Sequence, residues 1–455
     1  MGAEKWMIHI EDVLEDAEVC FAHVLESEGK KETLQEHTKR CQKYWKMMFE
    51  QEGLERIFDN FEKLYLEGIS EKGKQLFEVM TVNIVTWHDF GKCNPRFQND
   101  KMGHSWHMDL APDNLIGSRH SIVSVMFYLD YFIERINQLE DKQERTKLKD
   151  FAYMYSYVIA RHHGNLSVFS DYMDELLGKG NTEIGEKAQE WYRTWKMEVL
   201  KNGQPVKLYA HFKKMKERME MQTQGQAIGL YAWIRLQFSL LTAADYYATS
   251  EFMSGIEVTD FGKFGDIQPL IRQYEDGEVQ KKIRTYQREI YPMEPEKLQQ
   301  VSEINILRTE LFSEAEENLK KNKDQSVFYL EAPTGSGKSN TAMNLSFTLM
   351  QENSNLRKLF YIYPFNTLVE QNMGILAKTF GNRKEIMSQI AVVNSLVPFK
   401  DKKEKEEGDR ECSKKYQEIL LDRQFLNYPF ILSTHVMLFR TMFGNAKEDV
   451  FGFQQ

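Results

Sequence analysis

"TWHDFGK", residues 86–92, decides how the first half of the chain is read. His88 and Asp89 are adjacent, Lys92 follows within one helical turn, and the residues before them are apolar. Alone, such a pair suits a charged helix end as well as a metal site, so the other ionisable residues must choose. His37, His120, His162, His163 and Asp245 each sit in or beside an apolar segment, and we read each as the end of a buried helix. Imidazole and carboxylate together suit first-row divalent cations, and no thiolate belongs to this set. Their separations are too wide for a zinc-finger motif but fit one ligand per helix around a bundle-core site. Asp89 is placed to bridge two cations, and Lys92, on the same helical side, to hold a phosphate or a water.

Plainer readings stand beside this one. His37 alone suits a hydrogen-bonded core histidine, and His162–His163 suit a helix C-terminus, where the dipole favours cationic rings. Asp245 in "LTAADYYA" resists such a reading, because a buried carboxylate needs a partner. His9, His23, His104, His107, His211 and His435 are read as structural or exposed.

Residues 1–250 read as helical, with apolar positions three and four apart. Expected helices cover 33–58, with Thr33 and Glu36 in capping-box spacing, then 73–89, 119–136, 151–163 and 229–249. Glycine and proline punctuate 251–300, which we read as a linker. Beyond it the pattern changes to strand, glycine-rich turn, helix and strand, with strands expected at 325–332, 358–365 and 430–434. The fold class is thus an all-α metal-binding domain over 1–250 followed by an α/β P-loop domain over 301–455. The charge run at 400–411 reads as a solvated loop.

The turn in that second domain, "EAPTGSGKSNTA" (331–342), departs from the strict P-loop form only in having Ala332 at the first glycine position. Pro333, Thr334, Gly335, Ser336 and Gly337 form the loop, Lys338 can reach the outer phosphates of ATP, and Ser339 can hold Mg²⁺. The helix that follows adds its own attraction for phosphate.

Bulk properties bound the rest. A length of 455 residues fits about three domains by length alone. A hydrophobic content of 42% against 28% charged residues fits a folded chain rather than a disordered one. A net charge of −9 argues against a generally basic nucleic-acid coat and leaves room for a local groove or for metals that meet phosphates directly. Four scattered cysteines (Cys20, Cys41, Cys93, Cys412) without a C-x-x-C pair suit a reduced, cytoplasmic protein. The N-terminus shows no signal-peptide core, and Trp6 breaks a myristoylation pattern. The apolar segment 227–248 holds Arg235 and Asp245, so we expect a buried helix rather than a membrane span.

In order and local context these segments resemble the HD-domain nucleases, specifically the nuclease–helicases of type I CRISPR systems. "TLQEHTKRC" carries His37, "HDFGKCNPRFQ" His88 and Asp89, "SRHSIVS" His120, "IARHHGNLS" His162 and His163, and "LTAADYYATS" Asp245. The resemblance implies two divalent metals, of which Mn, Fe, Co, Ni and Mg are the candidates. His37, His88, Asp89 and Asp245 would hold one; Asp89, His120, His162 and His163 would hold the other. It also implies cleavage of single-stranded DNA, with His88, Asp89, Lys92, His120 and Asp245 at the chemistry, alongside a guide-RNA surveillance complex.

The P-loop resembles motif I of superfamily 2 helicases. "YIYPFNTLVEQ" (361–371) and "FILSTHVMLF" (430–439) resemble later motifs, and "EINILRTE" (303–310) places Arg308 near the nucleotide or in a structural role. No adjacent Asp-Glu pair follows Ser339. The expectation is therefore an incomplete motor that binds ATP without hydrolysing it. Two rival readings keep a place: an HD phosphohydrolase acting on nucleotides, and a non-catalytic protein that binds nucleic acid or the surveillance complex.

Overall fold

The protein is described by a computed structural model covering residues 3–14, 17–176, 183–199, 205, 215, 224–289, 304–381, 383–393 and 410–455. His211, part of the 251–300 segment and residues 400–409 of the charge run lie outside the described residues. Two compact units emerge. The first comprises Met1–Thr259, Glu406–Glu418 and Phe439–Gln455; the second comprises Asp260–Lys405 and Ile419–Leu438.

The first unit opens with a small antiparallel hairpin, β1 (Phe21–Leu25) and β2 (Lys30–Thr33), whose turn passes through Gly29 at φ +64°. Helices follow: α1 (Leu34–Gln51), α2 (Glu55–Tyr65), α3 (Glu71–Val82), α4 (Ile84–Trp87), α5 (Pro95–Met102), α6 (Ser121–Asn137), α7 (Lys142–Arg161), α8 (Phe169–Leu176), α9 (Ile184–Glu198) and α10 (Gln224–Ser254). Thr33 caps α1 through a reciprocal pair with Glu36, as their spacing predicts.

Three expected helices differ in detail. The 33–58 helix breaks at Gly53, which adopts φ +63°. The 73–89 helix breaks at Asn83, whose side-chain amide donates to Trp6 O at 2.6 Å and accepts from Ile8 N at 2.8 Å, drawing the chain's N-terminal segment against the break. The helix at 229–249 extends at both ends, so Asp245 lies within it and not at its end. By length and composition Gly225–Ser254 could cross a membrane, but 67% of its most apolar window is buried inside the protein. Its neighbours in the unit explain its apolarity.

The second unit holds α11 (Gln268–Glu275), α12 (Glu278–Glu289), α13 (Ile304–Lys321), α14 (Lys338–Glu352) and α15 (Asn366–Thr379). Its parallel sheet is ordered β3 (Leu359–Tyr363), β5 (Phe430–Thr434), β4 (Ile390–Val393). Phe430 and Leu432 of the central strand point into a core with Phe347, Val369, Leu376 and Phe380. Residues 325–332, expected as a strand, form none: Val327 is 86% and Tyr329 88% exposed. Their β-branched and aromatic composition favours extended backbone, but a strand also requires a hydrogen-bonded neighbour, and none pairs with them among the described residues.

Candidate metal centre

The ligand-type residues arrive on different elements of the first unit. His37 occupies the first turn of α1, His88 directly follows α4, and Asp89 precedes a tight 3₁₀ turn at Phe90–Cys93. His120 precedes α6, His162 and His163 follow α7, and Asp245 projects from α10. These residues fall into two groups with ligand atoms within 4.8 Å of one another: His37, Cys41, His88 and Asp245, and then Asp89, His120, His162 and His163. Asp89 faces both. Its Oδ2 lies 3.2 Å from His37 Nε2 and 3.5 Å from His88 Nε2, and its Oδ1 lies 3.3 Å from His120 Nε2 and 3.4 Å from His162 Nε2. Asp245 Oδ1 is 3.4 Å from His37 Nε2.

The backbone fixes which nitrogen each ring presents. His88 Nδ1 donates to the Val85 carbonyl at 2.7 Å, and His162 Nδ1 to the Ile159 carbonyl at 2.6 Å. A carbonyl only accepts, so in both rings Nε2 is the atom turned to the cluster. His88 Nε2, His162 Nε2 and Asp89 Oδ1 are buried without a hydrogen bond, which is costly unless something else satisfies them. Buried nitrogen and oxygen donors converging at such distances fit divalent first-row cations.

Gly91 makes this convergence possible. Its amide donates to Ser124 Oγ at 2.8 Å, and a Cβ at this position would stand 2.0 Å from the His120 carbonyl oxygen. Gly91→Ala is therefore expected to lower stability by about 3 kcal/mol, the upper end for overpacking, because backbone rather than a side-chain tip must move. Urea unfolding of the variant beside wild type checks this; an unchanged midpoint and slope would show that the α6 start can yield.

Charge differs between the groups. Burial pushes the His88 imidazole down, but Asp89 and Asp245 outweigh it and bring the ring up to about 10. Burial likewise opposes the charged form of His37, yet Cys41, Asp245 and Asp89 hold it well above its ordinary value. Burial takes His120 down to about 4, against the pull of Asp89. The neighbouring His162 ring pushes His163 down. Both aspartates resist protonation: burial raises Asp89, but Lys92 and His88 carry it well below the usual carboxylate range, and burial likewise raises Asp245 while the nearby His37 and His88 imidazoles carry it down.

A cation binding at His37 and His88 must displace their protons. With His88 brought up to about 10 by its carboxylate neighbours, affinity for that group is expected to rise with pH across the neutral range. From pH 8 to pH 6, apparent Mn²⁺ affinity should fall about a hundredfold for each proton displaced. Titration calorimetry in buffers of differing ionisation enthalpy counts those protons; binding with no proton release would contradict the assignment.

Around the two groups stand residues that the sequence reading passed over. Cys41 Sγ is 3.4 Å from His37 Nε2, one helical turn along α1, so a sulfur does belong beside this set. His23 and Glu32, from the hairpin, form a third group with His37. Glu32 is fully buried: its Oε2 accepts from His23 Nδ1 at 2.7 Å and lies 3.4 Å from His37 Nδ1, while Arg40 pairs with its other oxygen. Burial raises the Glu32 carboxyl, but the two imidazoles overcome it and bring it down to about 2. Lys92 is buried, with its ammonium 2.6 Å from Asp89 Oδ2 and 3.2 Å from His23 Nε2.

In the second unit the P-loop residues Pro333–Ser339 form an exposed turn leading into α14, apart from half-buried Ser336. Gly335 and Gly337 take φ +82° and +90°, a region that side chains disfavour. Lys338 Nζ reaches back to donate to the carbonyls of Ala332 and Pro333, the latter at 3.0 Å. Arg308 Nε donates to Gly335 O at 2.8 Å, so it braces the loop.

Residues 7–228 match the family model described as Cas3, HD domain, and residues 280–432 match that of the type III restriction enzyme, res subunit. No curated protein matches the chain. Among solved structures, the crystal structure of T. fusca Cas3-ATP is 14% identical, covering 95% of this chain and 45% of its own, with a TM-score of 0.42. The crystal structure of T. fusca Cas3 is 13% identical, covering 95% and 46%, with a TM-score of 0.43. The chain thus spans less than half the length of either.

Proposed function

The chain belongs to the HD nuclease–helicases of type I CRISPR systems, and from that premise we propose that its first unit cuts single-stranded DNA with two divalent cations. It would act in the cytoplasm, on a strand presented by a guide-RNA surveillance complex. The observation that carries this reading is the position of Asp89, whose two oxygens each face a separate set of imidazoles within 3.5 Å. His37, His88 and Asp245 would hold one cation, His120, His162 and His163 the other, and Asp89 would serve both. Mn, Fe, Co, Ni and Mg all suit such donors to differing degrees. When bound, two such cations supply an activated water and disperse the charge that develops on the phosphate and the leaving oxygen.

The protein's own part is positioning. Val85 and Ile159 carbonyls lock two rings in place, and the depressed Asp89 and Asp245 carboxyls keep their charge at any physiological pH. His37, His88 and His162 are buried, whereas His163 is exposed and His120 half-buried. A phosphate therefore enters from the His120–His163 edge. For the second unit we propose ATP binding at Pro333–Ser339, with Lys338 leaving its loop carbonyls for the outer phosphates and Ser339 meeting Mg²⁺.

The test incubates the full chain with each of the five metals and either a labelled single-stranded oligonucleotide or free nucleotides. Fragmented oligonucleotide is the expected product. Phosphate release from free nucleotides alone would favour a phosphohydrolase, and binding without turnover in every metal would leave a binding protein.

A further inference from the structure

A lysine distant in sequence stands at the rim of the same cluster. Leu166 N donates to Asn445 O at 2.9 Å, and Lys447 N donates to Asn165 Oδ1 at 3.0 Å. These bonds clip residues 445–447 to the turn that follows His162–His163. Helix α10 holds the same segment from the other side. Buried Arg235 donates to Thr441 O at 2.6 Å and Gly444 O at 2.5 Å, and Ser239 Oγ donates to Val450 O at 2.8 Å. The Lys447 side chain then lies over the ring of Tyr246, the neighbour of Asp245, with its ammonium 4.8 Å from the ring centroid.

The ammonium is poorly provided for. Lys447 is 8% exposed, yet no carboxylate lies within ion-pair distance of it among the described residues. Burial pushes its charged form down, and the more distant Asp245, Glu448 and Asp89 pull against that. Contact with a tyrosine face is a weak hold, so the side chain can leave it for a better partner. Lys92, by contrast, is committed to Asp89 at 2.6 Å. An ammonium that no carboxylate holds, on a flexible stem whose tip still reaches solvent, suits an incoming anion.

We propose that Lys447 is a substrate-binding residue of this cleft, meeting a backbone phosphate of the DNA strand next to the one being cut. This rests on the nuclease reading above. The full chain carrying Lys447→Met or Lys447→Arg is compared with wild type in three measurements. They are KM and kcat on a labelled single-stranded oligonucleotide in Mn²⁺, the salt dependence of binding to that oligonucleotide without metal, and bound Mn²⁺ per chain. Lys447→Met should raise KM about tenfold with kcat little changed and reduce the salt slope by about 0.7, as for one lost phosphate contact on a single strand. Its Mn²⁺ content should stay at the wild-type level, and Lys447→Arg should recover most of the loss. An unchanged KM and salt slope in Lys447→Met overturns the proposal, and so does loss of Mn²⁺, which would make the residue structural. If wild type binds the oligonucleotide without cutting it, the nuclease reading fails while the salt slope still decides the role of Lys447. If it does neither, both fall.

Discussion

Asp89→Asn should leave the chain folded, hold at most one Mn²⁺ where two are expected in wild type, and cut DNA at least about 10³-fold more slowly than wild type is proposed to. Asparagine keeps the shape of aspartate but carries no charge and replaces one acceptor oxygen with an amide donor. Whichever way the amide turns, its NH₂ faces imidazole nitrogens now met by an oxygen, at 3.2–3.5 Å on the His37/His88 side or 3.3–3.4 Å on the His120/His162 side. One group thus loses its common ligand outright and the other keeps only a neutral one. Metal analysis of the purified variant and a timed cleavage gel measure the two effects separately. Two retained ions, or cleavage within tenfold of wild type, would remove Asp89 from the centre of the mechanism.

Glu32→Ala is the second large effect, and it acts without touching the substrate. It strips His23, His37 and Arg40 of their shared carboxylate, and stranding buried charge in this way costs about 3–5 kcal/mol. The pH dependence has a definite sign. The folded Glu32 carboxyl is depressed to about 2, so its contribution is full above the unfolded value and fades as pH falls toward 2. Wild type should consequently lose stability over that acid range more steeply than the variant. Glu32→Gln separates fold from function, since it keeps the volume and loses the charge that orients His37. Its Mn²⁺ affinity should drop about 10–100-fold, the usual effect of removing a partner behind a metal-binding histidine. Wild-type affinity in Glu32→Gln would show that His37 needs no such support.

The seven histidine and aspartate positions that converge were visible in the sequence because each interrupts an apolar segment, where an ionisable side chain is conspicuous. What surrounds them was not. His23 and Glu32 lie on a hairpin of four- and five-residue strands, too short to register against the helical pattern, although "ESEG" offered a glycine turn between "FAHVL" and "KKET". Cys41 did leave a signal, four residues after His37 on one helical face, but a lone cysteine without a C-x-x-C partner reads as core. Strand β4 was missed because "IAVV" is four residues long. The segment at 325–332 fails in the opposite sense: its local preference for a strand is real, but pairing is a tertiary property that no single segment encodes.

The first unit is discontinuous, with the whole of the second lying between Thr259 and Phe439, and this bears on when its cleft is completed during synthesis. Arg235 and Ser239 emerge from the ribosome some two hundred residues before the carbonyls of Thr441, Gly444 and Val450 that they will hold. Until those arrive, a buried guanidinium lacks its acceptors, and the turn after His163 lacks the strap from Asn445 and Lys447. The rim of this cleft is thus assembled only after the nucleotide loop has been made. A nascent chain stalled anywhere in between carries the metal-binding residues but not the finished rim.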